Sequence, residues 1–359
     1  MQKKIIALAI AAAFASPVAM ADVTVYGSLD GGFRHQTNDT IAAGGTTDSM
    51  QLGQYNSSRF GLKSVEDMGD GMKANVVLEG TPTTPATPAQ ANVSGSTGAG
   101  TPFFNGVALF DRQATIGLSG GFGAVDMGWN YTTSFKVIKT YDPFDYKYLG
   151  IAGAKTSDVK RMTPAGTSAN QDRTGNLTYT GKFGDVTVLA EYMANNATKI
   201  AQPTAGAGRS LGAIYAGGPI NVGVAYTKIE QSLGFTDEVT HFTAGAGFNF
   251  GDGKVSVGYA KNAIATSGVS DNTENNMWAG ASFNISSKIA ITAAYYKNTS
   301  NGFGSTVDKT KNTVMAGVTY DLSKKTQAYF EMDRSVANAG GAALDVITVG
   351  TSAGLSTSF

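Results

Sequence analysis

The chain is expected to be all-β, a 16-stranded antiparallel transmembrane β-barrel, and three observations lead there. Apolar and polar residues alternate with a period of two in segment after segment. The connections between those segments alternate between short Gly/Asp-rich turns and long polar stretches. No segment sustains a helical period, and beyond residue 21 no apolar run is long enough to cross a bilayer as a helix.

The first element is an export signal. MQKKIIALAIAAAFASPVAMA places Lys3 and Lys4 before an apolar run from Ile5 to Ala15 and ends in the small-x-small triplet Ala19-Met20-Ala21. A membrane anchor would need ~20 apolar residues, and this run is shorter and stops at Ser16-Pro17. Residues 1–21 are therefore expected to be removed, leaving 22–359 as a single barrel domain that begins at Asp22. The chain has no Cys, which suits an oxidising compartment. It also removes disulfides, zinc-thiolate sites and cysteine nucleophiles together.

The strands follow in order. Val23, Val25, Leu29 and Phe33 share one parity, while Thr24, Tyr26, Ser28, Asp30 and Arg34 share the other. The same two-faced pattern returns at Val186/Val188/Ala190/Tyr192, Val222/Val224/Tyr226, Phe242/Ala244/Ala246/Phe248/Phe250, Val255/Val257/Tyr259, Met277/Ala279/Ala281/Phe283/Ile285, Ile289/Ile291/Ala293/Tyr295 and Val314/Ala316/Val318/Tyr320/Leu322. Short turns lie near 67–71, 120–123, 181–185, 217–221, 251–253, 286–287 and 323–325. Long polar segments lie near 35–56, 80–106, 132–172, 195–208, 229–238, 262–275, 298–311 and 335–343. Seven turns and eight long segments join 16 strands, the even-numbered order of an outer-membrane barrel with short inner turns and long outer loops.

Composition fits that architecture. Only 15% of residues are charged while 42% are hydrophobic, as expected when one strand face meets lipid and the other water. The balance of 27 basic to 27 acidic residues lacks the basic footprint of a nucleic-acid binder. A soluble β-sandwich or secreted adhesin would also alternate, but neither requires the strict short/long order of connections. The stretch 80–102 has linker composition, yet strands continue on both sides, so it is expected to be an extended loop. Tyr192, Tyr226, Tyr259, Tyr295, Tyr296 and Tyr320 fall near strand ends, where amphipathic rings sit at headgroup level. Phe359 ends the chain on an alternating strand.

DVTVYGSLDGGF, SSRFGLKSVEDMGDGMKA, FDRQATIGLSGGFGAVDMGWNYT, YDPFD, LTYTGKFG and VTYDLSKKTQAYFE, in this order, resemble the general trimeric porins of Gram-negative bacteria, particularly the beta-proteobacterial branch. The resemblance spans 22–359 and implies a homotrimer in the outer membrane, in contact with lipid and lipopolysaccharide, passing ions and small hydrophilic solutes passively and using no cofactor. A barrel of ~16 strands is too wide for side chains to fill, which leaves an aqueous channel. The resemblance also implies that the third long loop, 132–172, folds inward and narrows it. YDPFD then places Asp142 and Asp145 at the acidic side of a constriction. Arg59 in SSRFGLK, Arg112 in FDRQATIGL and Arg173 in DRTGNLTY supply the basic side. Opposed charges across a narrow wet gap orient dipolar solutes and bias which ions pass.

Local register treats these residues differently. Arg59 shares the parity of Lys63 and alternates with Phe60 and Leu62, as a lumen-facing residue should. Arg112 shares parity with Ala114, Ile116 and Leu118, so either that outer face packs on another subunit or the arginine points elsewhere. Arg173 lies one residue closer to Tyr179 than the family spacing, which calls for a bulge or register change. Trp129 stands where the family commonly carries a basic residue. Loop 132–172 holds Lys136, Lys139, Lys147, Lys155, Lys160 and Arg161 against Asp142, Asp145, Asp158 and Asp172. With the arginines, that excess implies a weak anion preference.

Other functions find less support. An enzyme would need a base beside a nucleophile or an activated water, and His35 and His241 stand outside any catalytic motif. No nucleotide motif or metal-ligand cluster is apparent. A substrate-specific channel would carry a track of lumen aromatics, and a structural or adhesin barrel would not conduct. Gly27, Gly31, Gly32, Ala114 and Gly117 would allow close subunit packing, and loop 80–106 would latch onto a neighbour.

Overall fold

A computed structural model describes residues 22–38, 45–82, 109–148, 173–193, 207–230, 238–265, 272–301, 309–338 and 345–359. The expected export signal at 1–21, most of loop 80–106 and residues 149–172 of the third loop lie outside them. The alternating segments form β1 (Asp22–Asn38), β2 (Gly45–Leu52), β3 (Arg59–Gly69), β4 (Met72–Gly80), β5 (Gln113–Gly120), β6 (Gly123–Tyr131), β7 (Arg173–Phe183), β8 (Val186–Met193) and β9 (Gly208–Gly217). They continue as β10 (Ile220–Glu230), β11 (Glu238–Phe250), β12 (Gly253–Ala265), β13 (Asn272–Asn284), β14 (Ile289–Ser300), β15 (Lys309–Asp321), β16 (Thr326–Asn338) and β17 (Val346–Ser358). One short helix, α1 (Thr133–Ile138), follows β6.

Apart from β2 and β3, each strand pairs antiparallel with its chain neighbour, and β1 pairs with β17 from Ser28↔Ser358 to Asn38↔Thr348. Gly27 and Phe359 exchange backbone hydrogen bonds of 3.4 and 3.1 Å beside that ladder. The sheet is therefore closed. β2 and β3 both pair with β1, at its far and near halves respectively, and make one barrel strand broken at residues 53–58. The 17 segments are thus a 16-stranded barrel.

The break is where sequence and structure part company. A long loop was expected over 35–56, but β1 and β2 stay paired to Asn38↔Gly45, and the irregular stretch is moved to 53–58. Asp30 holds it there. Its backbone carbonyl accepts from the Gly53 amide at 2.9 Å, its carboxylate accepts from the Tyr55 amide at 3.0 Å, and its own amide donates to Ser58 Oγ at 3.0 Å. A buried carboxylate offering these partners outcompetes continuation of the ladder.

The two faces invert the pattern of a soluble protein. Val25, Val257, Phe283, Tyr295 and Phe330 are exposed, Val257 at 55%, while Asp30, Glu191, Thr243 and Glu331 are buried, Glu331 at 0%. That inversion is what lipid outside and a polar lumen inside require. Tyr296 belongs to the lumen side and is buried, so it is not part of the headgroup-level set with Tyr295. Turns are short at one end of the barrel, and Ser286 and Ser323 close two of them by accepting from backbone amides two and three residues on.

The third connection folds inward over residues 132–148. Thr132 caps α1 through its hydroxyl. Glu191 of the β8 wall accepts the Thr133 amide at 2.7 Å. Val137, Ile138, Tyr141, Phe144 and Tyr148 are buried against the barrel's inner face, and they form its main hydrophobic cluster with Trp278, Tyr296, Tyr55 and Tyr329. Tyr141 stacks on Trp278 at 5.8 Å and shares a 2.7 Å hydrogen bond with Thr243. This fit needs a bare wall. A Cβ at Gly245 would overlap the Tyr141 ring, and one at Gly280 would meet Pro143.

Gly245→Leu is expected to leave the barrel assembled, since β11 keeps both ladders, while lifting Tyr141 from its seat. Overpacking costs about 1–3 kcal/mol, so tryptic cleavage after Lys136, Lys139 or Lys147 in the folded barrel should rise on the order of tenfold. An unchanged cleavage rate, with heat-modifiable gel mobility retained, would contradict the glycine seat.

Candidate functional site

The folded-in loop and the wall formed by β3 to β7 enclose a gap of about 610 Å³. Arg59, Arg112 and Arg173 line it from the wall side, and Lys136, Lys139 and Lys147 line it from the loop, with Asp145 as the lining carboxylate. Four separate stretches of sequence thus bring six cations to one opening.

Each arginine is held differently. Arg59, first residue of β3, stands opposite Ser28 on the lumen face. It donates to the Ser57 carbonyl at 3.3 Å and to Asn56 Oδ1 at 3.2 Å, so the strand break itself orients it. Arg112 precedes β5, and its backbone bend frees it from the outward parity of Ala114 and Ile116. Its amide donates to the Glu79 carbonyl at 3.0 Å and its Nε to Glu79 Oε1 at 2.6 Å. Arg173, at the start of β7 opposite Tyr131, lies over the Tyr131 ring, 4.4 Å from its centroid.

Tyr131 is the hub that sequence reading missed. Its hydroxyl oxygen accepts from Arg112 and from Arg173, both at 2.9 Å. Its ring stacks on Phe135 at 4.5 Å, and Phe135 stacks on Tyr146 at 4.4 Å. The spacing of Tyr131 and Phe135, four apart across the start of α1, is the one local signal that could have revealed the pair. Tyr146 joins only through tertiary folding.

The acidic side differs from expectation. Asp142 is 1% exposed and does not line the gap. Its carboxylate accepts from the Tyr146 amide at 2.7 Å and from the Tyr296 hydroxyl at 3.0 Å, pinning the 143–146 turn to β14. Asp145 does line the gap, exposed and 3.9 Å from Lys254. Asp145, Tyr146 and Tyr148 have φ of 49°, 62° and 52°, a left-handed run that costs free energy in non-glycine residues. Asp142 and the buried tyrosines stabilise it. Asp158 and Asp172, like Lys155, Lys160 and Arg161, lie outside the described residues.

The loop cations are electrostatically stressed. Burial lowers the pKa of Lys136, with Glu191 and Asp126 pulling the other way. Burial also lowers that of Lys147, with the Arg59 guanidinium adding to the effect. Trp129 takes no part in the gap: it faces outward at 40% exposure, its indole donating to the Asp111 carbonyl at 2.8 Å. His241 is buried and bonded to Ser134 of α1 at 2.9 Å, while His35 pairs with Asp48 on the outer face. Among the described residues no group of His, Cys, Asp and Glu is placed to hold a metal.

Comparison with known proteins agrees with this architecture. A profile for Gram-negative porins matches residues 7–339. Outer membrane porin protein 32 of Delftia acidovorans is 28% identical over 262 residues, covering 71% of this chain and 68% of the relative. An outer membrane porin protein of Bordetella pertussis is 27% identical over 288 residues, covering 73% of this chain and 69% of the relative. Among solved structures, the anion-selective porin from Comamonas acidovorans superposes with a TM-score of 0.76 across 95% of this chain and all of its own, at 22% identity, a likeness of fold. With a closed barrel around an open gap and a family profile running nearly end to end, the chain belongs to the Gram-negative porins: it is a passive channel of the outer membrane, not an enzyme.

Proposed function

We propose that this porin is a general diffusion channel with a weak preference for anions, set where Arg59, Arg112 and Arg173 face Lys136, Lys139 and Lys147. One observation carries the reading: among the described residues six cations, one of them (Arg112) paired with Glu79, line the gap against Asp145, because Asp142 is buried in the loop's own scaffold. The field at the gap is then mainly of one sign rather than directed from an acidic to a basic wall. Fixed positive charge in a low-dielectric neck raises local anion concentration. Salt screens it over ~8 Å at physiological strength, which keeps the preference weak. The Comamonas porin that shares this fold is anion-selective, which points the same way.

A general channel accounts better for the aromatics than a substrate-specific one. Arg173 covers one face of Tyr131 and Phe135 the other, while Tyr146 is buried behind Phe135. The stack serves as scaffold and offers no open track. The reading further takes residues 1–21 to be cleaved as the export signal and the barrel to assemble as a homotrimer in contact with lipid and lipopolysaccharide. Gly31 and Ala114 lie on the outward parity and support close subunit approach. Gly32 and Gly117 do not, since a Cβ there would meet Tyr329 and Asp126 inside the barrel. Trimers that dissociate only on heating, in mild-detergent gels, are the expected assay result.

Reversal potentials across planar bilayers in a KCl gradient test the selectivity. The wild type should show anion preference. Arg59→Gln with Arg173→Gln should lower the anion/cation permeability ratio roughly two- to fivefold, since a unit charge acting through water at ~4 Å is worth about 1 kcal/mol. Clear cation preference in the wild type would overturn the reading.

The depressed lysines add a pH dependence. A lysine with lowered pKa gives up its proton at lower pH than a free one, so Lys136 and Lys147 lose charge first as pH rises. Anion preference should therefore fall through the alkaline range while the arginines stay charged. The fall should be smaller in Lys136→Met with Lys147→Met.

A further inference from the structure

Arg112, Tyr131 and Arg173 share a feature that a count of charges passes over. Each has the outward parity of its strand: Tyr131 that of Met127 and Trp129, Arg173 that of Leu177, and Arg112 that of Ile116 and Leu118, all of which are exposed. All three nevertheless line the gap. They turn inward where the ladders end, since Tyr131 closes β6, Arg173 opens β7 and Arg112 lies one residue before β5. The Tyr131 amide donates to Asn130 Oδ1 at 2.8 Å, a side-chain acceptor that lets the backbone leave the strand.

Register sets the three side by side. Tyr131 stands opposite Arg173. Ala114 stands opposite Trp129, so Arg112, two residues before the one, is level with Tyr131, two residues after the other. The tyrosine is the middle member of a row across three strands, with a guanidinium on either side. Its oxygen accepts from both at 2.9 Å, so the two donor nitrogens lie no more than twice that distance apart. Like charges this close repel. A shared acceptor with charge-assisted bonds offsets the repulsion and fixes the spacing. Arg112 has a further hold in Glu79, which takes its Nε on one oxygen while the Tyr26 hydroxyl donates to the other at 3.1 Å.

The ring of Tyr131 has a separate role. It stacks on Phe135, which stacks on Tyr146, and so fastens the start of the folded-in loop. One side chain joins the two parts of the gap, its hydroxyl to the wall cations and its ring to the loop.

We propose that Tyr131, though uncharged, is a selectivity-determining residue of the channel: its hydroxyl positions Arg112 and Arg173 at the gap, and without it the anion preference falls with every charge still present. The direction follows from the neighbours. Arg59, Lys136, Lys139 and Lys147 line the same gap, so a guanidinium that loses this acceptor is driven out of the group, and the Glu79 contact limits that movement for Arg112. The proposal rests on the reading of the gap as the place where ion preference is set.

Reversal potentials of the purified full-length channel in a KCl gradient, read together with open-channel current noise, test it. Tyr131→Phe keeps the ring and all the charges. Its anion/cation permeability ratio should fall roughly twofold, and its noise should rise as the guanidiniums sample several positions. Tryptic cleavage after Lys136 or Lys139 should match the wild type, because the stack on Phe135 survives. Tyr131→Leu should show the same fall in ratio together with faster cleavage. In an Arg112→Gln/Arg173→Gln background, Tyr131→Phe should change nothing further. A wild-type ratio in Tyr131→Phe, or a fall that persists undiminished in that background, would overturn the proposal. A wild type that prefers cations would instead sink the anion reading, and a Tyr131→Phe ratio displaced from that of the wild type would still support the positioning role.

Discussion

Peptide groups inside hydrocarbon have no solvent to bond with, and an open sheet edge there would cost several kcal/mol per unsatisfied group. The pairing of β1 with β17 removes that edge. Once the sheet is closed, its outer face must be apolar and its inner face is free to be polar. Alternation along every strand follows, as does the burial of Asp30, Glu191 and Glu331 in a barrel that exposes Phe283 and Phe330. The barrel is too wide for wall side chains to fill, so its hydrophobic cluster forms where the third loop meets the wall.

That cluster is also what makes the gap rigid. Aromatic side chains on the loop, Tyr141, Phe144 and Tyr148, are packed into the wall, and Asp142 ties the intervening turn to Tyr296. The cations are then presented from two sides by elements that cannot drift apart. Glu79 and Tyr131 position Arg112, and Tyr131 positions Arg173 as well, without neutralising the group as a whole. Arg59 and Arg173 are held by neutral groups, Asn56, the Ser57 carbonyl and Tyr131, and Arg112 by Tyr131 together with the Glu79 carboxylate.

Much of the barrel was legible in the sequence because its rules are local. Alternation at Val222/Val224/Tyr226 and turns such as 251–253 depend on neighbours in the chain, and the strand count followed from them. The gap was only partly legible. Arg59 sits on its expected face because it belongs to a strand, whereas Arg112 escapes its parity because the ladder has not yet begun at that residue. Asp142 has the composition of a pore carboxylate and the contacts of a structural one, and those contacts come from β14, far away in sequence. The long loop expected over 35–56 gave no sign of the strand break at 53–58 for the same reason: Asp30, across the hairpin, decides it.

The β1–β17 seam has a consequence for how the protein is made. Ser28 pairs with Ser358, and the Gly27 amide waits for the carbonyl of Phe359. Until β17 is present the far edge of β1 has no partner, so an N-terminal fragment emerging from synthesis carries open sheet edges. Such extreme sequence separation between first and last contacts makes assembly slow. The chain must be kept unfolded and soluble until β17 has been delivered, and loss of that one strand costs the whole molecule rather than a part of it.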